Sequence, residues 1–177
     1  MAKKRKKSTL GLVFSAGAVL FAIAAVCMMF LNAVELVSGE NVLAQYTGVQ
    51  VAFGYSETYP LIGEVKFLNF SIMNLLPYIL ALAGAVVALL AALSKKSFLL
   101  NIIAVACFVA AAVFFFTAAS YVSVAGSEGS GTLNVLVKNI VDALKDGDNL
   151  KIAIGSILGG VFSIVAAACS ALKIFVK

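Results

Sequence analysis

The most regularly patterned apolar segment of the chain is residues 150–175, LKIAIGSILGGVFSIVAAACSALKIF. Its small side chains recur at every fourth position: Gly155, Gly159, Ser163, Ala167 and Ala171. A row of small residues on a helix allows a second helix backbone to approach closely inside a membrane. A parallel row, Ser156, Gly160, Ile164 and Ala168, widens the same face. The stretch therefore predicts a membrane-spanning helix that packs tightly along one face against another helix.

Three further stretches of the chain are as apolar as this one. Hydrophobic residues make up 63% of the 177 residues and the mean hydropathy is +1.09, far above the roughly 45–50% apolar usage of soluble domains. Apolar segments at about residues 9–34, 67–93, 97–121 and 150–172 each exceed the roughly 18 residues that indicate a spanning helix. We therefore predict an all-α membrane protein, a single domain of four transmembrane helices, with outer loops at about residues 35–66 and 122–149.

The charged residues are sorted between the two sides of this predicted bundle. Nine basic residues lie near the two ends of the chain and in the middle loop, with no acid among them: Lys3, Lys4, Arg5, Lys6, Lys7, Lys95, Lys96, Lys173 and Lys177. All eight acidic residues fall in the other two loops with four lysines, which gives −8 + 4 = −4. Because Lys and Arg near span ends are retained in the cytoplasm, we predict a multi-pass protein of the cell membrane with both termini cytoplasmic and an acidic outer face.

The basic clusters predict a lipid contact. Residues 3–7 and the pair Lys95 and Lys96 directly adjoin spans, where basic side chains act as topology signals and attract anionic lipid. This interpretation is favoured over a nucleic-acid patch.

The first predicted span carries its own row of small residues. Gly11, Ser15, Ala18 and Ala22 follow a 4-3-4 spacing, which is typical of a straight seam in a left-handed, nearly antiparallel helix crossing. Together with the row at residues 155–171, it predicts a tight bundle.

The first outer loop contains two segments that alternate apolar with small or polar residues. Residues 49–55 and 62–68 flank a turn signal around Pro60, and this pattern predicts a β-hairpin. Residues 36–46 fit either a helix that continues the first span or an irregular link. Tyr55 and Tyr59 belong either to an interfacial aromatic belt or to a ligand cage.

The second outer loop contains an amphipathic segment at residues 132–145. Leu133, Leu136 and Ile140 recur on one face with Lys138 and Asp142 on the other, which predicts a short extracellular helix lying at the membrane interface. With Tyr55 and Tyr59, these three apolar residues form the predicted outer interaction surface.

The second span contains a polar group near its outer end. Asn74 lies close to Pro77, and proline frees backbone carbonyls that neighbouring groups must satisfy. One interpretation is a structural kink. The other is a polar pocket formed by Asn74, Tyr78, Thr117 and Ser120.

The inventory of reactive side chains argues against catalysis. The chain has no histidine and no tryptophan, its three cysteines all lie within predicted spans, and no Asp, Glu, Lys or Arg lies in the interior of a span. Metal sites built from His or Cys and intramembrane proton relays need those residues. We therefore predict no enzyme activity, no metal site and no cofactor.

In architecture the chain resembles the tetraspan proteins, such as the claudin family, with four spans, both ends inside and strands in the first outer loop. That family's tryptophan motif and cysteine pair in this loop have no counterpart here, so no residue or activity is transferred.

The leading hypothesis is a non-enzymatic structural or accessory protein whose outer face contacts a membrane-protein partner or a second copy. The alternative is a channel or transport subunit whose pore forms by homo-oligomerisation. A third hypothesis, an immunity protein against a membrane-active peptide, rests on size and topology alone.

Overall fold

The computed structural model describes residues 9–60, 63–94, 97–125, 142 and 149–176. Four long helices dominate it: α1 (Thr9–Cys27), α3 (Ile72–Leu93), α4 (Ser97–Phe116) and α5 (Ile154–Phe175). Each is long and apolar enough to cross a membrane, because about 20 apolar residues cover the hydrocarbon core. The four predicted spanning helices are thereby confirmed.

The helices form a closed ring in the order α1, α3, α4, α5, and each packs against two neighbours. Small residues line the interior in the half of the bundle away from the sheets, where they surround Phe108: Ala18, Ala22, Ala85, Ala88, Ala104, Ala166 and Ala167. Because alanine lets backbones approach closely, this packing supplies the van der Waals contact that holds helices together in lipid.

Every predicted span is longer than the helix found. The chain leaves α1 through a 3₁₀ turn (Met28–Phe30) and enters strand β1 (Asn32–Ser38). Similarly, α3 begins at Ile72, α4 ends at Phe116 before a second 3₁₀ turn (Ala118–Tyr121), and α5 begins after strand β5 (Leu150–Ile152). Four of the flanking apolar residues, Ala33, Val34, Phe67 and Leu68, are buried in the sheets, whereas Phe30 and Phe70 are exposed. Hydropathy does not distinguish burial in a sheet from burial in lipid.

Two small antiparallel sheets correct the all-α prediction to a mostly helical fold. The first has the order β2-β1-β5, where β2 is Asn41–Thr47. Residues 36–46, left open between a helix and a link, lie in the β1–β2 hairpin, which turns at Gly39 with φ +63°. The second sheet pairs β3 (Tyr55–Tyr59) with β4 (Gly63–Leu68).

The predicted hairpin paired residues 49–55 with residues 62–68. Its first strand is wrong over residues 49–53, which form the helix α2 (Gly48–Phe53). A capping box starts this helix, because the Thr47 hydroxyl accepts from the Gln50 amide and the Gln50 side chain accepts from the Thr47 amide at 2.9 Å. Such reciprocal bonds satisfy two otherwise orphaned donors. The helix ends at Gly54, whose φ of +93° favours glycine.

Both sheets lie at one end of the bundle, here called the sheet end. The amide of Ala153 donates to Ala33 O at 2.9 Å, and the amide of Ala125 donates to Phe67 O at 3.0 Å. One apolar cluster joins the sheets to the helix ends: Ala33, Val34, Leu36, Tyr46, Val51, Phe67, Leu68 and Ala118. The two sheets and α2, together called the head, are therefore hydrogen-bonded to and packed against the adjoining helix ends.

Three predictions lie on residues that the structure does not describe. These are the amphipathic helix at residues 132–145, of which only Asp142 is described, as helical and exposed, and the basic residues 3–7 and 95–96.

Candidate functional site

The row of small residues on α5 lies at the centre of the bundle contacts. Gly155, Gly159, Ser163 and Ala167 are buried, and Ala171 is half-buried. A Cβ at Gly159 would lie 2.7 Å from Cε1 of Phe115, so this glycine allows the phenylalanine ring to sit directly on the helix backbone.

The parallel row on α5 departs from the four-residue spacing. Ser156 and Gly160 are buried, whereas Ile164 and Ala168 are exposed. The buried face continues instead through Ala166 and Ser170. Contacts alternating at three and four residues keep a seam straight along a helix, whereas a strict four-residue row drifts around it.

The row on α1 is buried at Ser15, Ala18 and Ala22. Gly11 is different, because it is half-buried and, among the described residues, no atom beyond its own stretch of helix lies within 4 Å of where its Cβ would be. Among these four residues, the tight part of the α1 seam therefore comprises Ser15, Ala18 and Ala22.

The residues of the predicted polar pocket are Asn74, Tyr78, Thr117 and Ser120. Asn74 is buried and its Nδ2 donates to the Ser71 hydroxyl at 3.3 Å, while its Oδ1 is buried with no hydrogen-bond partner among the described residues. The Thr117 hydroxyl donates to Val113 O, one turn earlier, at 2.8 Å, and Ser120 is exposed. Tyr78 is buried four residues after Asn74 and packs edge-on against Phe115 with ring centroids 5.0 Å apart. The shared polar pocket therefore stays a prediction.

Two buried polar residues were not predicted from the sequence. Asn101 of α4 and Ser170 of α5 are 2% and 1% exposed, and their side-chain oxygens accept and donate no hydrogen bond within the described residues. Both lie toward the end opposite the sheets. An asparagine one turn into a predicted span is the signal that could have identified the first.

A group of aromatic and acidic side chains lies on the β3–β4 hairpin and the neighbouring strand β2. We call it the tyrosine cluster and define it as Tyr46, Tyr55, Glu57, Tyr59 and Phe67. Tyr55 stacks on Phe67 with centroids 6.0 Å apart and meets the edge of Tyr46 at 6.0 Å. The Tyr59 hydroxyl donates to Oε2 of Glu57 at 2.9 Å. Tyr55 and Tyr59, predicted as free outer surface, are thus half-buried against the head, while Leu133, Leu136 and Ile140 lie outside the described residues.

Tyrosine ionisation reports how closely these groups are packed. Burial, followed by the proximity of Tyr55, Tyr59 and Glu57, raises the pKa of Tyr46 to about 12. The hydrogen bond to Glu57 and partial burial raise the pKa of Tyr59. Both effects favour the neutral phenol, because a phenolate would be desolvated and would face a carboxylate.

We expect Tyr46→Phe to remove a late step from the alkaline titration of tyrosinate absorbance. The folded protein holds the Tyr46 proton more tightly than the unfolded chain, whose tyrosines titrate near pH 10. This residue's contribution to stability is therefore complete below pH 10 and is lost between pH 10 and about 12. A wild-type minus variant difference centred near pH 10 in the folded protein would contradict the burial of Tyr46.

The fold consists of four helices that are long and apolar enough to cross a membrane, with a packed β head at one end. Such a fold is typical of a multi-pass membrane protein. Comparison with protein-family models, with curated proteins and with solved structures found no match to this chain.

Proposed function

We propose that this chain is a non-enzymatic membrane protein of the cell membrane whose sheet end lies outside and binds another protein, either a membrane-protein partner or a second copy. The orientation is supported by charge sorting, with nine positive charges assigned to one side and a net −4 to the other. Both ends of the chain are then cytoplasmic, in contact with anionic lipid.

The observation that carries this proposal is the free edge of strand β2. Among the described residues β2 pairs with β1 alone, and Asn41, Val42 and Leu43 are exposed in a row. Val42 is 48% exposed and Leu43 is 56% exposed. Residues 41–47 contain no charge and no proline, two of the features by which proteins usually protect an edge strand. A third such feature, a bulge, is present, because the β1–β2 register shifts between the Leu36–Ala44 and Val37–Val42 pairs and leaves Leu43 as the extra residue on β2.

An edge of this kind fits a partner that adds a strand. The unpaired amides and carbonyls of β2 supply main-chain hydrogen bonds, and the exposed side chains supply apolar contact, as in β-strand addition. The packing of the head on the bundle favours this role, because a rigid edge costs less entropy to bind than a mobile one.

We expect a photo-crosslinking amino acid at Leu43 to capture a protein in native membranes, either a second copy or a distinct partner. The matched control is the same amino acid at Thr58, which is exposed on β3 of the other sheet. The proposal predicts a protein adduct at Leu43 and none at Thr58. Lipid adducts alone at Leu43, or equal protein adducts at both positions, would contradict it.

The alternative of an oligomeric pore is tested by the mass of the protein in lipid nanodiscs. Within one chain, the fully buried Phe108 and Phe115 fill the interior among alanines, so the proposed pore would have to lie between copies. A mass of one copy would contradict the pore. A ring of several copies would support it and make solute flux the next assay.

A further inference from the structure

The tyrosine cluster places a carboxylate between two aromatic rings on one face of a strand. Tyr55, Glu57 and Tyr59 alternate along β3, and residues two apart in a strand share a face at a spacing of about 6.6 Å. Tyr55 and Tyr59 pack against the apolar cluster that contains Tyr46, so this face is turned toward the three-stranded sheet. The carboxylate is thus flanked by one ring on each side along the strand.

Hydrogen bonding holds the carboxylate in that position. The Tyr59 hydroxyl is 2.9 Å from Oε2 of Glu57, so a cation that touches the carboxylate is also close to the hydroxyl edge of this ring. On the other side, partial burial and the proximity of Glu57 raise the pKa of Tyr55, which is consistent with a short distance between this carboxylate and the second ring.

The register of the hairpin keeps its lysine away from Glu57. Lys66 pairs with Ser56, whereas Glu57 pairs with Val65. Cross-strand partners share a face and successive residues alternate, so Lys66 lies on the face opposite Glu57. Glu57 is exposed, and Tyr55 and Tyr59 are each partly exposed, so the group is open to a solute.

The composition of the cluster selects the kind of cation. Calcium requires six to eight oxygen ligands, and the described residues contain no group of three or more His, Cys, Asp or Glu side chains that could hold a metal. A primary ammonium carries three hydrogen-bond donors that need acceptors. A trimethylammonium group donates no conventional hydrogen bond, and it binds by charge and by contact with aromatic faces.

We propose that Glu57, Tyr55 and Tyr59 form a binding site for a trimethylammonium group, with Tyr46 and Phe67 supporting the rings. The same chemistry is presented by the choline headgroup of a membrane lipid and by free choline-like solutes. The site requires only the head of the protein, and it is independent of which protein binds the β2 edge.

The test is a titration of the full chain in maltoside micelles with tetramethylammonium chloride and with choline chloride. The chain has five tyrosines and no tryptophan, so its intrinsic fluorescence reports on tyrosine directly. We expect a saturable change that sodium chloride at equal ionic strength does not cause. The neutral carbon analogue of choline, 3,3-dimethylbutanol, is expected to cause no saturable change.

Two matched variants separate the proposed site from a general effect of charge. Glu57→Gln keeps the shape of an exposed side chain and should weaken binding by about two- to fivefold, since cation contacts at exposed sites contribute on the order of 0.5–1 kcal/mol. Glu64→Gln removes the acid that pairs with Thr58 on the opposite face and should leave affinity unchanged. Tyr59→Phe, which keeps the ring, should bind more tightly than Tyr59→Leu.

Nanodiscs distinguish the source of the ligand. If phosphatidylcholine nanodiscs abolish the response to tetramethylammonium and phosphatidylglycerol nanodiscs preserve it, the occupant is a lipid headgroup. If both preserve it, the occupant is a free solute. The proposal is overturned if wild type shows no saturable response in micelles, if Glu57→Gln and Glu64→Gln behave alike, or if the neutral analogue binds equally well.

Discussion

Replacing Gly159 with leucine is expected to destabilise the bundle by about 2 kcal/mol or more, as is typical when a packed core is overfilled. Even a Cβ at this position would meet three atoms of the Phe115 ring, the nearest at 2.7 Å. The ring cannot swing away, because it is 1% exposed and its other neighbour is Tyr78 at 5.0 Å between centroids. Separation of α4 from α5 is the remaining way to accommodate the new side chain. Thermal unfolding in detergent measures the effect.

The control for this substitution is Gly11→Leu. Gly11 also lies in α1, but among the described residues no atom beyond its own stretch of helix lies within 4 Å of where its Cβ would be. We therefore expect no loss of stability, because the remaining effect is a gain in helix propensity of up to about 1 kcal/mol. If Gly159→Leu unfolds at the wild-type temperature, the close α4–α5 contact is wrong. If both variants lose stability equally, the loss comes from replacing a glycine and not from overlap with the Phe115 ring.

Gly155→Ala is expected to loosen the head from the bundle. Its Cβ would lie 2.7 Å from the backbone oxygen of Asn32 and 3.1 Å from the carbonyl carbon of Leu31. Backbone atoms cannot rotate out of the way, so α5 or the first residues of β1 must move. That movement strains two hydrogen bonds that converge on Ala33 O, from the Ala153 amide at 2.9 Å and from the Ser156 hydroxyl at 2.8 Å.

Amide hydrogen exchange in β1 and β5 measures this loosening, and Gly17→Ala provides a control of opposite sign. A Cβ at Gly17 would make ordinary contact with Sγ of Cys169 at 3.4 Å. Alanine there should stabilise α1 by roughly 0.5–1 kcal/mol through helix propensity. Protected strands in Gly155→Ala, with exchange as slow as in wild type, would contradict the close approach of α5 to the sheet.

The helices were predictable because each is determined by its own residues. A run of about 20 apolar residues has few structures available to it in a membrane other than a helix. The glycine and serine row on α5 likewise predicted a buried face, and that face is buried at Gly155, Gly159 and Ser163. The parallel row past Gly160 was not predictable, since Ile164 and Ala168 are exposed, and its course depends on how two neighbouring helices cross α5.

The helix α2 was within reach of the sequence and was missed. The alternation of residues 49–53 predicted a strand, but five residues are too few to separate the two periods. The Thr47 and Gln50 pair, three residues apart, is the sequence signature of a capping box, and it gives the correct structure.

The tyrosine cluster was only half predictable. The spacing of Tyr55, Glu57 and Tyr59 follows from a strand, and the sequence raised a ligand cage as an alternative to an aromatic belt. The sequence did not predict the contact between the rings of Tyr46 and Tyr55, because these residues lie on strands of different sheets. It also could not show that the hydroxyl of Tyr59 fixes the carboxylate.

Local composition and spacing were enough to predict the number of apolar helices, the sorting of charge and the small residues at which helices meet. The β head depends on contacts between distant parts of the chain. Residues 32–34 end the first predicted span, but they belong to strand β1, which pairs with the neighbouring β2 and also with β5 from the far end of the chain. The contact of Ala33 with Ser156 joins residues 123 positions apart. No local pattern encodes such a pairing, since it is favourable only once the four helices have brought their ends together.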